Sequence, residues 1–349
     1  MEKKKIVFLY TELATYFLAC VEELQKHPAL EIHIVRWNVN AEAPFNFSFS
    51  SDIFIYNRTD YNDTELTLLI AEIDPSVIYS SGWTDKGYLR VCKRHKKKVP
   101  VILGFDNQWK GTLKQYIACL VSPFRILNHF SYCWVPGEPQ KRYALKLGFK
   151  NENILTGFYC CDYNFFNMQY ERNRAFKEMD FPKRFLYVGR YVEHKGIRDL
   201  WQAFLELQEE SPNGWELWCL GAGDIPKIKH PKIMHFGFVQ PGDLADYIRN
   251  TGVFILPSHF EPWGVVVHEY VSAGFPVICT GEVGASTAFV QNNLNGYIYS
   301  AGNIKELKEV LLKIMNKDNV HLIKMSNESV RKAKVITPQI WAKQIISLL

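Results

Sequence analysis

Short apolar, β-prone runs alternate with longer segments of helical period along the whole chain, and the alternation breaks off once and starts again. Strands are predicted over residues 5–10, 31–37, 52–56, 76–80, 100–105 and 131–135, with helical patterns such as 13–26 and 64–73 between them. A polar stretch over 162–183, with Asn, Arg, Glu and Pro, reads as an irregular hinge. A second series then follows, with strands at 184–188, 215–220, 233–236, 253–256 and 276–279 and helices at 197–209, 241–250, 265–273 and 303–316. Alternation of this kind builds a parallel sheet covered on both faces, so an α/β chain of two doubly wound domains is expected. The boundaries read as 1–161, the hinge 162–183, a second domain 184–333, and a last helix 334–349 returning to the first domain. In such sheets ligands bind at the carboxyl ends of the strands, here in a cleft where the two domains face each other.

The length of 349 residues suits two cores, and 47% apolar with 22% charged residues argues against disorder. The net charge of +5 is unevenly placed: residues 86–125 hold ten Lys and Arg and one acid, Asp106. That field favours anionic partners such as phosphates, acidic glycans or lipid headgroups, unless it is simply a solvated helix end around 93–98. The eight cysteines lack metal-type spacing, and adjacent Cys160 and Cys161 are too close for an ordinary disulfide. The N-terminal apolar run at 6–10 is too short for a signal peptide, and no stretch reaches the ~18 apolar residues of a membrane span. A reduced, cytoplasmic protein is the default expectation.

The most informative stretch is residues 257–278, Pro-Ser-His-Phe-Glu-Pro-Trp-Gly-Val-Val-Val-His-Glu-Tyr-Val-Ser-Ala-Gly-Phe-Pro-Val-Ile. A buried strand ends at Pro257, and a loop with Glu261 and Gly264 precedes an apolar helix carrying Glu269. Gly264 lets backbone approach a ligand closely, and the helix start at Val265 offers free N–H groups to a phosphate. Two carboxylates flanking a phosphate site suit the hydroxyls of a sugar and a ribose; the plainer reading is a helix-dipole contact for Glu261 and an exposed Glu269. The second element, residues 189–196 (Gly-Arg-Tyr-Val-Glu-His-Lys-Gly), follows the first strand of the second series. Arg190 and Lys195 there can neutralise a diphosphate, Arg by forked hydrogen bonds and Lys as a point charge. As a mere basic turn they would oppose the macrodipole of the helix they precede, which a bound anion would offset.

Strand–Gly189-Arg190 followed by Lys195-Gly196, then Pro-Ser-x-x-Glu-Pro-x-Gly-x4-Glu and Ala-Gly-x-Pro-Val, resembles the retaining glycosyltransferase family 4, the group 1 glycosyl transferases. Further matches are Leu220-Gly221-Ala222-Gly223-Asp224, Phe236-Gly237-Phe238-Val239 and Asn295-Gly296; Val135-Pro136-Gly137-Glu138 and Leu155-Thr156-Gly157 resemble the segments leading into the hinge. The likeness is strong over about 150–315 and weak before that. It implies the GT-B architecture, two Rossmann-like domains, with the acceptor side in the first and the nucleotide sugar in the second. It implies that Arg190 and Lys195 bind the donor diphosphate, that Glu269 holds the ribose and that Glu261 contacts the sugar. The backbone after Gly264 would meet phosphate, with Gly189, the 221–223 segment (Gly221, Gly223) and the 237–239 segment (Val239) lining the donor. Transfer would retain anomeric configuration, the leaving diphosphate taking the acceptor's proton on the same face. The partners implied are a nucleotide diphosphate sugar and a glycan or lipid-linked acceptor, in cell-surface polysaccharide or glycoconjugate synthesis.

Several positions depart from that pattern. Gly104-Phe105-Asp106 stands where a His near the donor sugar is common, so either Asp106 does that work or this sequence uses another group. Residues 11–15 (Thr-Glu-Leu-Ala-Thr) replace a glycine-rich turn, Tyr270 and Ser272 replace small apolar residues, and residues 284–288 lack a second glycine and a carboxylate. No Asp-x-Asp occurs, so neither a metal nor another cofactor is expected, and Arg190, Lys195 and a helix terminus would carry the leaving-group charge. Competing readings are a sugar-nucleotide epimerase, a non-catalytic nucleotide-sugar-binding protein, and a nucleic-acid binder, the last supported by no motif. Lastly, the helical pattern over 110–130 sets Leu113, Tyr116, Ile117, Leu120, Val121, Phe124 and Leu127 on one face. Either that face packs on the sheet, with Pro123 kinking or ending the helix, or the basic, apolar region makes peripheral contact with an anionic membrane at the inner face of the plasma membrane.

Overall fold

The computed structural model describes residues 3–37 and 53–349, with Thr15 described by its backbone alone. Asp52, which opens one expected strand, and the first two residues lie outside that range. The chain divides into two compact units, residues 1–162 with 336–349, and residues 163–335.

The first unit is built on a seven-stranded sheet of β1 (Lys4–Tyr10), β2 (Leu30–Arg36), β3 (Ile53–Asn57), β4 (Val77–Ser81), β5 (Val101–Gly104), β6 (Tyr132–Val135) and β7 (Ile154–Thr156), in the order β3-β2-β1-β4-β5-β6-β7. All neighbours pair in parallel. The central strands are buried on both faces, as in the continuous run Ile6, Val7, Phe8, Leu9, because helices cover both sides. The helix Pro338–Ile346, from the far end of the chain, packs on Thr15–Gln25. Trp341 fixes it, donating its indole N–H to the Phe158 carbonyl at 2.8 Å and lying 4.8 Å from Trp134.

The second unit repeats the plan with β8 (Arg184–Val188), β9 (Glu216–Leu220), β10 (Ile233–Gly237), β11 (Val253–Leu256), β12 (Val277–Thr280) and β13 (Gly296–Tyr299), ordered β10-β9-β8-β11-β12-β13 and again all parallel. Each sheet therefore reverses direction once, between β1 and β4 in the first and between β8 and β11 in the second. A crevice opens at such a point because the connections on its two sides leave in opposite directions.

Two expectations are corrected. The stretch read as an irregular hinge is the 17-residue helix Tyr163–Met179. Its inward residues are Phe166, Gln169, Asn173 and Lys177, a face that is polar in three of four positions and so carries no apolar periodicity. The helix Leu113–Arg125 does contain Pro123 near its end, but its apolar face is not packed on the sheet: Leu113, Tyr116, Ile117, Leu120 and Phe124 are all exposed.

Candidate functional site

At the reversal point of the second sheet, the loop after β8 and the loop after β11 are locked together. The His259 N–H donates to the His194 carbonyl at 2.8 Å, and Gly196, at φ +65°, sits so close to the Pro257 carbonyl that a Cβ would run into it. This contact brings Lys195 and Glu261 together as an ion pair whose two side chains are largely buried. Arg190 stands exposed on the same loop, its carbonyl accepting from the Tyr187 hydroxyl at 2.8 Å. The imidazole of His194 is held below its ordinary pKa by partial burial and then by Lys195 and Arg190.

Glu261 is itself fixed by backbone. Its N–H donates to the Glu282 carbonyl at 3.2 Å, and its carbonyl accepts from the Gly284 N–H at 3.1 Å. Gly264 caps the helix Val265–Ser272 at φ +89°, and a Cβ there would lie 2.9 Å from the Glu261 side chain. Among the described residues no side chain caps this helix start, so the N–H groups from Val265 onward end at the same loop. Glu269 lies half-buried one turn further on. Its helix is anchored by the other face: Tyr270 stacks on Phe254 at 4.3 Å, buried His268 bonds the Ala333 carbonyl at 3.1 Å, and Ser272 donates to the His268 carbonyl. That packing accounts for Tyr270 and Ser272, the two residues that depart from the family pattern.

The remaining glycines pack loop on loop. A Cβ on Gly221 would run into the Gly189 carbonyl, and one on Gly223 into that of Tyr191. Val239 is half-buried in the loop after β10. Nothing in the sequence singled out Tyr191, yet it organises this edge. It is fully buried, its N–H donates to the Ala222 carbonyl at 2.9 Å, and its hydroxyl meets His235 Nδ1 at 3.0 Å.

Asp106 belongs to the first unit, where it lines a pocket of about 320 Å³ at the ends of β1, β4 and β5. Thr11 and Ser81 share a hydroxyl hydrogen bond of 2.6 Å across the reversal point there. The Tyr159 hydroxyl donates to the Asp106 carboxylate at 3.5 Å, and Gln140 donates to its carbonyl at 3.1 Å. Burial, then Tyr16 and Asp106, hold the Tyr159 phenol above its ordinary pKa, so it remains a donor. Gly104 is required because a Cβ would collide with the Tyr79 hydroxyl. The structure thus brings Arg190, Lys195, Glu261, Gly264, Val265 and the glycines Gly189, Gly196, Gly221 and Gly223 to one sheet edge, with Asp106 at the edge of the other sheet.

Residues 170–334 match the family of the glycosyl transferases group 1. Over 144 residues the chain is 28% identical to the uncharacterized glycosyltransferase MJ1607 of Methanocaldococcus jannaschii, covering 37% of this chain and 36% of that protein. It is likewise 28% identical over 144 residues to the capsular polysaccharide biosynthesis glycosyltransferase CapM of Staphylococcus aureus, covering 38% and 37%. The matched stretch therefore spans little more than a third of either relative. A glycosyltransferase structure from Rickettsia africae superposes over 99% of this chain and 98% of its own, with a TM-score of 0.73 at 13% identity. Anabaena Alr3699/HepE, solved with UDP and glucose, does so over 99% and 98% with a TM-score of 0.68 at 14% identity. Likeness at that identity shows the fold, which is GT-B.

Proposed function

We propose, from the match of residues 170–334 to the group 1 glycosyl transferases, that this chain moves a sugar from a nucleoside diphosphate donor to a glycan or lipid-linked acceptor, with retention at the anomeric carbon. The observation that carries the reading is the Lys195–Glu261 pair at the β8 and β11 ends, with Arg190 exposed beside it and an uncapped helix start at Gly264. A diphosphate brought there meets a lysine already held in place by a carboxylate, an exposed guanidinium whose forked donors match phosphate oxygens, and backbone N–H donors. As the bond from the anomeric carbon to phosphate breaks, negative charge grows on the leaving oxygen, where these groups act. The acceptor hydroxyl forms the new bond, and its proton passes to that phosphate oxygen. On this reading Glu261 orients the sugar and Glu269 the ribose.

The sequence holds no Asp-x-Asp, and Arg190 and Lys195 supply cationic charge, so transfer is expected to survive EDTA; loss that added metal restores would refute metal independence. The Anabaena neighbour was solved with UDP and the Staphylococcus relative is named for capsule synthesis, which makes UDP-sugars and cell-surface glycans the first substrates to try. The test is thermal stabilisation by UDP, GDP and ADP and their sugars, followed by product analysis of donor consumption. No stabilisation and no donor breakdown with any of them would overturn the proposal, and an epimerised free donor would make the chain an epimerase.

A further inference from the structure

We infer that the helix Leu113–Arg125 docks on an anionic lipid surface. Leu113, Tyr116, Ile117, Leu120 and Phe124 fall on one face by their i, i+3, i+4, i+7, i+11 spacing, and each is between 52 and 78% exposed. The helix is not loosely held. Ala118 and Cys119 on its other face pack against the first domain's core, buried Ser122 donates to the Leu147 carbonyl at 2.6 Å, and Thr112 and Gln115 form a capping box at its start. A well-anchored helix that turns five large apolar side chains outward is presenting them to something.

Charge identifies the occupant. Residues 107–137 contain no Asp or Glu, while Lys110, Lys114 and Arg125 lie in or beside the helix. At 3.6 residues per turn, Lys114 and Arg125 share one flank of the apolar stripe, about 100–120° round from its centre. Lys96 donates to the Leu127 carbonyl, Lys93 and Lys96 both act on His129, and Lys146 lies 4.7 Å from the Trp109 ring centroid, so further cations border both ends. A second copy of this chain would set these cations against their own kind, whereas anionic headgroups neutralise them. Tyr116 and Trp109, in edge contact at 5.1 Å, are residue types that favour the headgroup level. Thirteen helical residues reach only about 20 Å, too short to cross ~30 Å of hydrocarbon, so the helix lies along the interface.

The test uses the full chain and needs neither donor nor acceptor, so it stands or falls apart from the transferase reading. Co-sedimentation with vesicles of phosphatidylcholine alone and with added phosphatidylglycerol should show binding to the anionic vesicles that weakens with salt. Leu120→Glu with Phe124→Glu should reduce it tenfold or more. Lys114→Glu with Arg125→Glu should reduce it at least on the order of 25-fold, about fivefold for each cation lost before the added carboxylates repel the headgroups. All four positions are exposed, so melting temperatures should stay at the wild-type value, and the charge pair serves if the apolar pair does not fold. Failure to bind anionic vesicles, binding equal in the variants, or a wild-type dimer that Leu120→Glu with Phe124→Glu turns into monomer would overturn the inference, the last in favour of self-association.

Discussion

The two sheets share one topology and differ in what they carry at the point where strand order reverses. Between β1 and β4 the edge is lined by hydroxyls and rings, Thr11, Ser81, Trp83, Phe105 and Tyr159, with Asp106 as the carboxylate of that pocket. Between β8 and β11 the edge carries Arg190, Lys195 and Glu261, set by glycines that let the loops touch. The connection of the strands fixes where a ligand can sit, and the loop residues fix its chemistry. Rings and hydroxyls suit the apolar faces and polar rim of a carbohydrate; paired cations at a helix start suit a diphosphate. On the proposed reading the two domains therefore divide acceptor from donor.

The strongest challenge to that division is Lys195→Ala. It removes a cation expected to act on the leaving diphosphate, so turnover should fall about 100- to 1,000-fold, with weaker nucleotide binding and a folded protein by circular dichroism. Wild-type rate and affinity would leave the Lys195–Glu261 pair with a structural role alone.

Buried cations differ between the units in the same spirit. In the first, Arg58 donates to Asp85 at 3.1 Å, to Asp63 at 2.7 Å and to the Tyr61 carbonyl at 2.6 Å; burial would lower its pKa, but the two carboxylates raise it. In the second, the Lys177 amine is buried with no hydrogen-bond partner among the described residues, 4.0 Å from the Phe275 ring centroid, and burial pushes its pKa down to about 7. Between that value and the ordinary 10.5 the unfolded chain binds more protons than the folded one. Stability should therefore rise with pH through that window and be lost as pH falls toward 7. Lys177→Met keeps the apolar stem, and at pH 7 it should stabilise the protein by about 3 kcal/mol and flatten the slope. Denaturant melts at pH 7 and 9 measure both, and an unchanged slope would mean that the amine titrates normally.

Lys177 also shows what the sequence left hidden. Strands such as β1 and β11 are legible because residues 6–10 and Val253–Leu256 are apolar throughout and buried on both faces. The helix Tyr163–Met179 buries Gln169, Asn173 and Lys177, so its pattern imitates a linker, and Asn319–Ala333 hides similarly, its Ser326 and Ser329 donating to the carbonyls of Gly274 and Phe275. The edge strands β7 and β13, of three and four residues, are too short to stand out from loops. Within the site, the motif spacing marked Arg190, Lys195, Glu261 and Glu269. The joining of Lys195 to Glu261 was not legible, since it depends on Gly196 meeting Pro257, a contact 61 positions apart in the sequence. Tyr191 was missed because a lone aromatic after a strand reads as core.

A smaller effect separates the two carboxylates of the second domain. Glu269→Gln should weaken binding of the free nucleoside diphosphate about tenfold, through one charge-assisted hydrogen bond to the ribose. Glu261→Gln should act on turnover and sugar preference instead. Equal affinities in calorimetric titrations of wild type and Glu269→Gln would leave Glu269 as a helix residue without a ligand.

The finest test lies in the first domain. Asp106 lines the β1–β4 pocket, and its carboxylate accepts from Tyr159, so replacing it with Asn keeps the size and an acceptor oxygen while removing the charge. If the pocket serves the acceptor, Asp106→Asn should raise the acceptor KM or lower turnover by up to about tenfold, the scale of one charge-assisted hydrogen bond. It should leave the affinity for UDP, measured without acceptor, at the wild-type value, because the groups assigned to the diphosphate all belong to the second domain. Should UDP binding fall as far as it does in Lys195→Ala, Asp106 would belong with the donor, and the separation of the two sheet edges into acceptor and donor sides would fail.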